Sequence, residues 1–340
     1  MRLSRRTSVL ALLAGLIASS AYAAEKLPSF KGDINQTSVS GLSSGAFMAA
    51  QLQVAYSATI TGAGIVAGGP YYCAAGLIAN TSICMGQVPF VAPNPALMVS
   101  AAQGFAALGQ IDSLDNLKND KVYIFSGTDD SVVKQVAVDA TASFFAYAGV
   151  PAENLLYVKT VPAGHAFITP SFGNDCSANA GPYISHCIKD GTGYDQAGAI
   201  LQHIYGTLKA PVTTLSGKIV EFDQRPFAPA ISSMAPTGYL YVPKSCADGA
   251  ACKVHVAIHG CLQSAAAVGD DVYSRTGYNN WADSNDIVVL YPQVNVSYTI
   301  PFNPQGCWDW WGYTGSNYAL KSGVQMEAIW TMVQTLVAKP

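Results

Sequence analysis

The residues best able to do chemistry begin at Gly41-Leu42-Ser43-Ser44-Gly45, which reads G-x-S-x-G. That spacing is a nucleophile elbow, a serine raised on a sharp strand-to-helix turn with small neighbours where the chain crowds itself. A serine hydroxyl is a weak nucleophile until an adjacent base takes its proton. Histidine suits that task, since its ordinary pKa of about 6.5 lets it accept and return a proton near neutral pH. A carboxylate behind it fixes the tautomer and steadies the imidazolium. His165, in Gly164-His165-Ala166-Phe167, is the candidate base. Asp129 and Asp130 are the candidate acids. Asp130 is preferred for its place in the turn after a strand, which leaves Asp129 as a solvated turn residue or helix cap. The other histidines fit other roles: His186 in a surface loop beside Cys187, His203 in a helix, His255 alternating within a buried strand, and His259 opening His259-Gly260-Cys261.

These residues need elements to hold them. Thr37 to Ser40 reads as a buried strand, and Ala46 to Ala55, free of Pro and Gly, as a helix. Further strands are expected over 58–68, 121–126 and 155–161, with helices over 94–110, 132–148 and 195–205. Ser43, an acid after a strand, and a histidine after the next strand follow the α/β-hydrolase order. In the second half, 238–242, 253–258 and 287–291 read as strands, and 209–236 as a connection between the two sequence halves. His259-Gly260-Cys261 follows a strand, as a second oxyanion donor does, yet such a segment ordinarily precedes the nucleophile. Circular permutation accounts for this. The helix over 326–337, with Met326, Ile329, Trp330, Val333 and Val337 at helical spacing, would then lead into the elbow strand. The expectation is one α/β domain over 24–340, with a mostly parallel central sheet, helices on both faces and termini close together.

Residues 1–23 read as a cleaved signal peptide: Arg2, Arg5 and Arg6, then apolar Val9 to Ala18, then Ala21-Tyr22-Ala23. The apolar run is too short to span a bilayer, and no later run is long enough. Cleavage removes three of the 18 Lys and Arg residues and none of the 21 acids, leaving a net charge of −6. An acidic exported protein, periplasmic or extracellular, is a poor fit to nucleic acid. The eight cysteines then imply disulfides. Proximity pairs Cys73–Cys84, Cys176–Cys187 and Cys246–Cys252, leaving Cys261–Cys307. No C-x-x-C pair is present and the histidines are not at ligand spacing, so no metal is expected, and no cofactor. Asn35, Asn80 and Asn295 open glycosylation sequons.

Several stretches spread over the chain carry a family likeness: Gly41 to Gly45, Gly68 to Cys73, Gly164 to Phe167, Tyr194 to Leu201, Phe222 to Gln224, His255 to Gln263, Gly277 to Asp283, Val289 to Gln293 and Gly306 to Gly312. The chain resembles the secreted and periplasmic poly(3-hydroxybutyrate) depolymerases with a circularly permuted catalytic domain. The resemblance implies Ser43 as nucleophile, Asp130 as acid, His165 as base, and the Ser44 and Cys261 amides as oxyanion hole. The histidine loop departs from the pattern, reading Ala166-Phe167-Ile168-Thr169 where Phe-Pro-Thr is expected, so its shape should differ. No Thr-rich linker or separate polymer-binding module is expected beside the catalytic part. Aromatic residues would then supply the substrate surface: Trp308, Trp310, Trp311, Tyr313, Tyr71 and Tyr72. The function expected is a monomeric serine esterase cleaving poly(3-hydroxybutyrate) or its oligomers. The alternatives are a lipase-like, feruloyl or aromatic-polyester esterase, a serine peptidase, and a polymer-binding protein with a dead triad.

Overall fold

Short β-branched and apolar runs, each stopped by Gly, Pro or a polar turn, build the centre of the molecule. A computed structural model describes residues 24–338; the expected signal peptide lies outside them. Eight strands form one sheet: β1 (Gly32–Leu42), β2 (Ile60–Val66), β3 (Lys121–Phe125), β4 (Leu155–Val158), β5 (Lys218–Asp223), β6 (Thr237–Val242), β7 (Cys252–Ile258) and β8 (Ile287–Tyr291). Their spatial order is β4-β3-β2-β1-β7-β8-β6-β5. Only β6 runs antiparallel to its neighbours in that sheet; the remaining pairings are parallel. The elbow strand β1 therefore sits mid-sheet, with Ser40 opposite Gly64 on one side and Ala257 on the other.

The connection expected over 209–236 contains the edge strand β5. Its Lys218, Ile219 and Glu221 are exposed and only Phe222 is buried, so the run, interrupted by charges, lacks the continuous apolar signature of the inner strands. Six longer helices accompany the sheet: α1 (Ser44–Ala55), α2 (Pro95–Ala107), α3 (Gln135–Tyr147), α4 (Gln196–Tyr205), α5 (Tyr278–Ser284) and α6 (Val324–Val337). Every residue of α1 is buried. Its alanines at 46, 49, 50 and 55 let it lie close on β1 and β2, while α6 packs alongside. On α4, Ile200 and Ile204 fill the space above Gly64 and Gly62, where a Cβ would meet them at 2.8 Å. The hydrophobic core is continuous through both sequence halves, from Val39 and Ile124 to Leu290 and Ile329.

Phe30 N–H donates to Leu336 O at 2.7 Å, so the segment before β1 lies against the end of α6. In the histidine loop, Phe167–Thr169 pairs in parallel with Ile184–His186, and the Cys176–Cys187 bridge closes the segment between them. Among the described residues, no helix is long and apolar enough to cross a membrane.

Candidate active site

β1 ends at Leu42 and α1 begins at Ser44, so Ser43 must reverse the chain in one residue. It does so at φ 56 and ψ −123, a region that costs a non-glycine residue on the order of 1–3 kcal/mol. Both flanking glycines are required sterically. A Cβ at Gly41 would lie 2.3 Å from the Gly45 carbonyl carbon, and one at Gly45 would lie 2.3 Å from Ile258 O. The elbow is thereby pressed against the end of β7, which brings the His259-Gly260-Cys261 segment beside it.

Asp130 and His165 arrive on two loops at the ends of β3 and β4. Asp130 Oδ2 accepts from His165 Nδ1 at 2.8 Å, while Oδ1 accepts from Val132 N–H at 2.8 Å and Val133 N–H at 2.9 Å. The pair is shielded from solvent, with side chains only 1% and 5% exposed. Such burial strengthens the charge-assisted bond and holds the proton on Nδ1. Nε2 is then the nitrogen free to serve Ser43, which lines the same cavity. Asp129 is exposed and stays out of this bond; its backbone carbonyl accepts from Asn179 instead.

The cavity holds about 260 Å³ and is walled mostly by apolar side chains, among them Phe47, Met85, Val133 and Trp310. Ser44 and Cys261 also line it. Ser44 opens α1, where backbone N–H groups have no intrahelical partner and the helix dipole favours negative charge. Cys261 is held from three directions. Its bridge to Cys307 ties it to the aromatic loop, Leu262 N–H donates to Gln305 O at 2.8 Å, and Gly260 N–H donates to Gln263 Oε1 at 2.7 Å. Gln263 in turn donates to the Pro182 and Tyr183 carbonyls, a role the sequence did not signal.

His255 and His259 are buried and stay neutral, burial pushing them down to about 3 and about 4. His259 uses both nitrogens on backbone, donating from Nδ1 to Gly260 O and accepting Val294 N–H at Nε2. His255 lies between Ser38 and Ser40 of the elbow strand, at 2.6 and 2.8 Å from their hydroxyls.

The expected aromatic surface is corrected in part. Trp310 and Trp311 line the cavity, Trp310 stacked on Phe47 with ring centres 4.1 Å apart. Trp308 is fully buried beside His259, and Tyr71 is core, its hydroxyl donating to Ala319 O. Tyr72 stacks on Tyr318 and borders a different cavity, of about 340 Å³. The split lies between Trp308, packed into the core beside His259, and the adjacent pair Trp310 and Trp311, which the loop after it carries to the cavity wall. Tyr313 donates to Cys307 O and braces the loop from behind. Asp309 organises this loop. Its carboxylate accepts the N–H groups of Trp311, Gly312, Tyr313 and Thr314 and the Thr314 hydroxyl. The four disulfides are Cys73–Cys84, Cys176–Cys187, Cys246–Cys252 and Cys261–Cys307. Among the described residues, no three His, Cys, Asp or Glu side chains gather as a metal site.

A serine on a strained strand-to-helix turn, in an α/β sheet and beside a His–Asp pair, defines a serine hydrolase. No family model matches the chain. It is 43% identical over 330 residues to the polyhydroxybutyrate depolymerase of Talaromyces funiculosus, covering 93% of this chain and 94% of that protein. It is 50% identical over 320 residues to the poly(3-hydroxybutyrate) depolymerase of Delftia acidovorans, covering 92% of this chain but spanning only 62% of that relative. Two solved chains, each 40% identical and covering 92% of this chain and 98% of theirs, superpose on it. One is the PHB depolymerase from Penicillium funiculosum, at a TM-score of 0.84; the other is a serine-to-alanine PHB depolymerase complexed with an R3HB trimer, at 0.83. The chain belongs to the poly(3-hydroxybutyrate) depolymerase family.

Proposed function

We propose that this protein is an exported serine esterase that hydrolyses poly(3-hydroxybutyrate) or its oligomers. The observation that carries the reading is the buried Asp130–His165 bond at 2.8 Å, beside Ser43 in an apolar cavity. Ser43 Oγ attacks the ester carbonyl as His165 Nε2 takes its proton. The oxyanion receives the Ser44 and Cys261 N–H groups, which meet charge that exists only as the tetrahedral intermediate forms. His165 then protonates the leaving alkoxide, giving an acyl-enzyme and a shortened chain. Water, deprotonated by His165, attacks the acyl group and releases a 3-hydroxy acid. Methyl-bearing ester units suit walls of Phe47, Met85, Val132, Val133, Trp310 and Trp311 with few polar groups.

Residues from 24 onward act as one catalytic domain, a reading supported by the eight-stranded sheet that both sequence halves share and by the continuous core. The chain order is read as a circular permutation. β1 to β4 fill one side of the sheet, β5 to β8 the other, and α6 ends beside the entry to β1. Removal of residues 1–23 on export fits the four bridges, since disulfides persist outside the reducing cytosol.

The test is acid release from amorphous poly(3-hydroxybutyrate) granules by wild type and Ser43→Ala, with p-nitrophenyl butyrate as the small ester. Release by wild type alone supports both nucleophile and polymer. Cleavage of the small ester without the polymer would move the acyl group to another class. Inactivity on both, in folded protein, would overturn the esterase reading.

A further inference from the structure

We infer that Asn179 is a positioning residue that locks the acid and base loops together. The inference rests on the Ser43–His165–Asp130 reading above. Asp130 and His165 stand on separate loops, 35 residues apart in sequence, and only one side-chain bond joins them directly. Asn179 bonds the backbone of both loops with one amide. Its Oδ1 accepts His165 N–H at 2.8 Å and Ser131 N–H at 2.9 Å. Its Nδ2 donates to Asp129 O at 3.0 Å and Ser177 O at 3.1 Å. The amide thus holds the residue before Asp130, the residue after it, and the base itself.

The loop that carries Asn179 is anchored as such a clamp needs. The Cys176–Cys187 bridge closes it, Gly164 N–H donates to Cys176 O at 2.8 Å, and a Cβ at Gly164 would lie 2.2 Å from Ala178 O. An asparagine offers an acceptor and a two-proton donor in one plane, which is what two amides on one side and two carbonyls on the other require. Truncation removes the bonds to the His165, Ser131 and Asp129 backbones and leaves the two loops joined by the Asp130–His165 bond and by Asp129 N–H to Ala163 O at 3.0 Å; displacement of a catalytic group by about 1 Å can cost on the order of a hundredfold in rate.

The experiment compares wild type, Asn179→Ala, Asn179→Asp and Asn174→Ala on p-nitrophenyl butyrate, with active sites counted by fluorophosphonate labelling and thermal midpoints recorded. Asn174 is the comparator because its side chain bonds Ala180 O and Gly181 O within the same loop and touches neither Asp129–Ser131 nor His165. Asn179→Ala should lower kcat per labelled site by tenfold or more, with KM changed less than threefold. Asn179→Asp, which keeps the accepting oxygen and loses the donor, should fall between Ala and wild type. Asn174→Ala should keep wild-type kcat at a lowered midpoint. Wild-type kcat in both Asn179 variants, or an equal kcat loss in Asn174→Ala, would overturn the inference. An unlabelled, inactive wild type would instead overturn the esterase reading on which it rests.

Discussion

At Ser43 the left-handed backbone, the buried Asp130–His165 bond and the two close-packed glycines act as one unit, so single changes should be costly in different ways. Asp130→Asn leaves the shape intact but offers His165 an amide that can present N–H, which holds the wrong tautomer. It should lower kcat about ten-thousandfold on p-nitrophenyl butyrate with little loss of thermal stability. Gly45→Ala should act on folding, because its methyl would meet the Ile258 and His259 carbonyls, which are backbone and cannot rotate away. A loss of about 3 kcal/mol or more is expected, read as the shift in urea midpoint at unchanged slope.

The loop that follows β8 is organised around one carboxylate. Asp309 gathers four backbone N–H groups and a hydroxyl, and the Trp310 and Trp311 side chains are displayed from that scaffold. Asp309→Ala strands several buried donors, each costing about 1–3 kcal/mol. The expected outcome is a lower melting midpoint together with a several-fold rise in KM for a 3-hydroxybutyrate trimer. A variant with unchanged trimer KM would mean that the aromatic wall does not bind the chain. The Cys261–Cys307 bridge joins this loop to the His259-Gly260-Cys261 segment across a sequence separation of 46. Loop-closure entropy for that length is worth about 4 kcal/mol at most. Cys307→Ala should therefore unfold several degrees earlier than wild type in a calorimetric scan.

Across the whole molecule, His255, His259 and Asp120 are three buried groups whose shifts contribute to the pH dependence of stability. His255 and His259, pushed down to about 3 and about 4, remain neutral in the fold but take protons in the unfolded chain below about pH 6.5. Their contribution is present above about pH 6.5 and lost as pH falls through that value toward 4 and 3. Asp120 behaves oppositely. Burial pushes its carboxyl up to about 8, against a bond from Gln53, whereas the unfolded carboxyl titrates near 3.9. Its contribution is present below about pH 4 and lost as pH rises toward 8. Among these three groups, from about pH 4 to 6.5 the unfolded state binds two histidine protons against one on folded Asp120, so their joint contribution rises with pH. Of these three groups, Asp120 is the one whose protonation still differs from about 6.5 to 8, and its contribution falls with rising pH. The melting midpoint should peak near pH 6.5, and Asp120→Asn should flatten the alkaline side. A midpoint that climbs steadily to pH 8 in wild type would contradict this.

Much of this was legible in one dimension because it depends on local chemistry. G-x-S-x-G is demanded by crowding at a one-residue reversal, inner strands are apolar because both faces are covered, and nearby cysteines close short loops. The edge strand β5 escaped because it is mostly exposed and mixes polar with apolar residues, and the tryptophan run was ambiguous because sequence does not say which side of a loop faces the cleft. Spacing favoured Asp130 over Asp129 only weakly; the fold distinguishes them by burying one against His165 and exposing the other. Asn179 and Gln263 carried no signal at all, since a side-chain amide earns its role from the backbone groups that converge on it. The sequence alone therefore determined the strand–elbow–helix, the strand periods and the types of residue available for chemistry. Only the tertiary structure decided which carboxylate, which aromatic rings and which amides meet at Ser43, because those contacts join segments up to 264 residues apart and exist only once the sheet has formed.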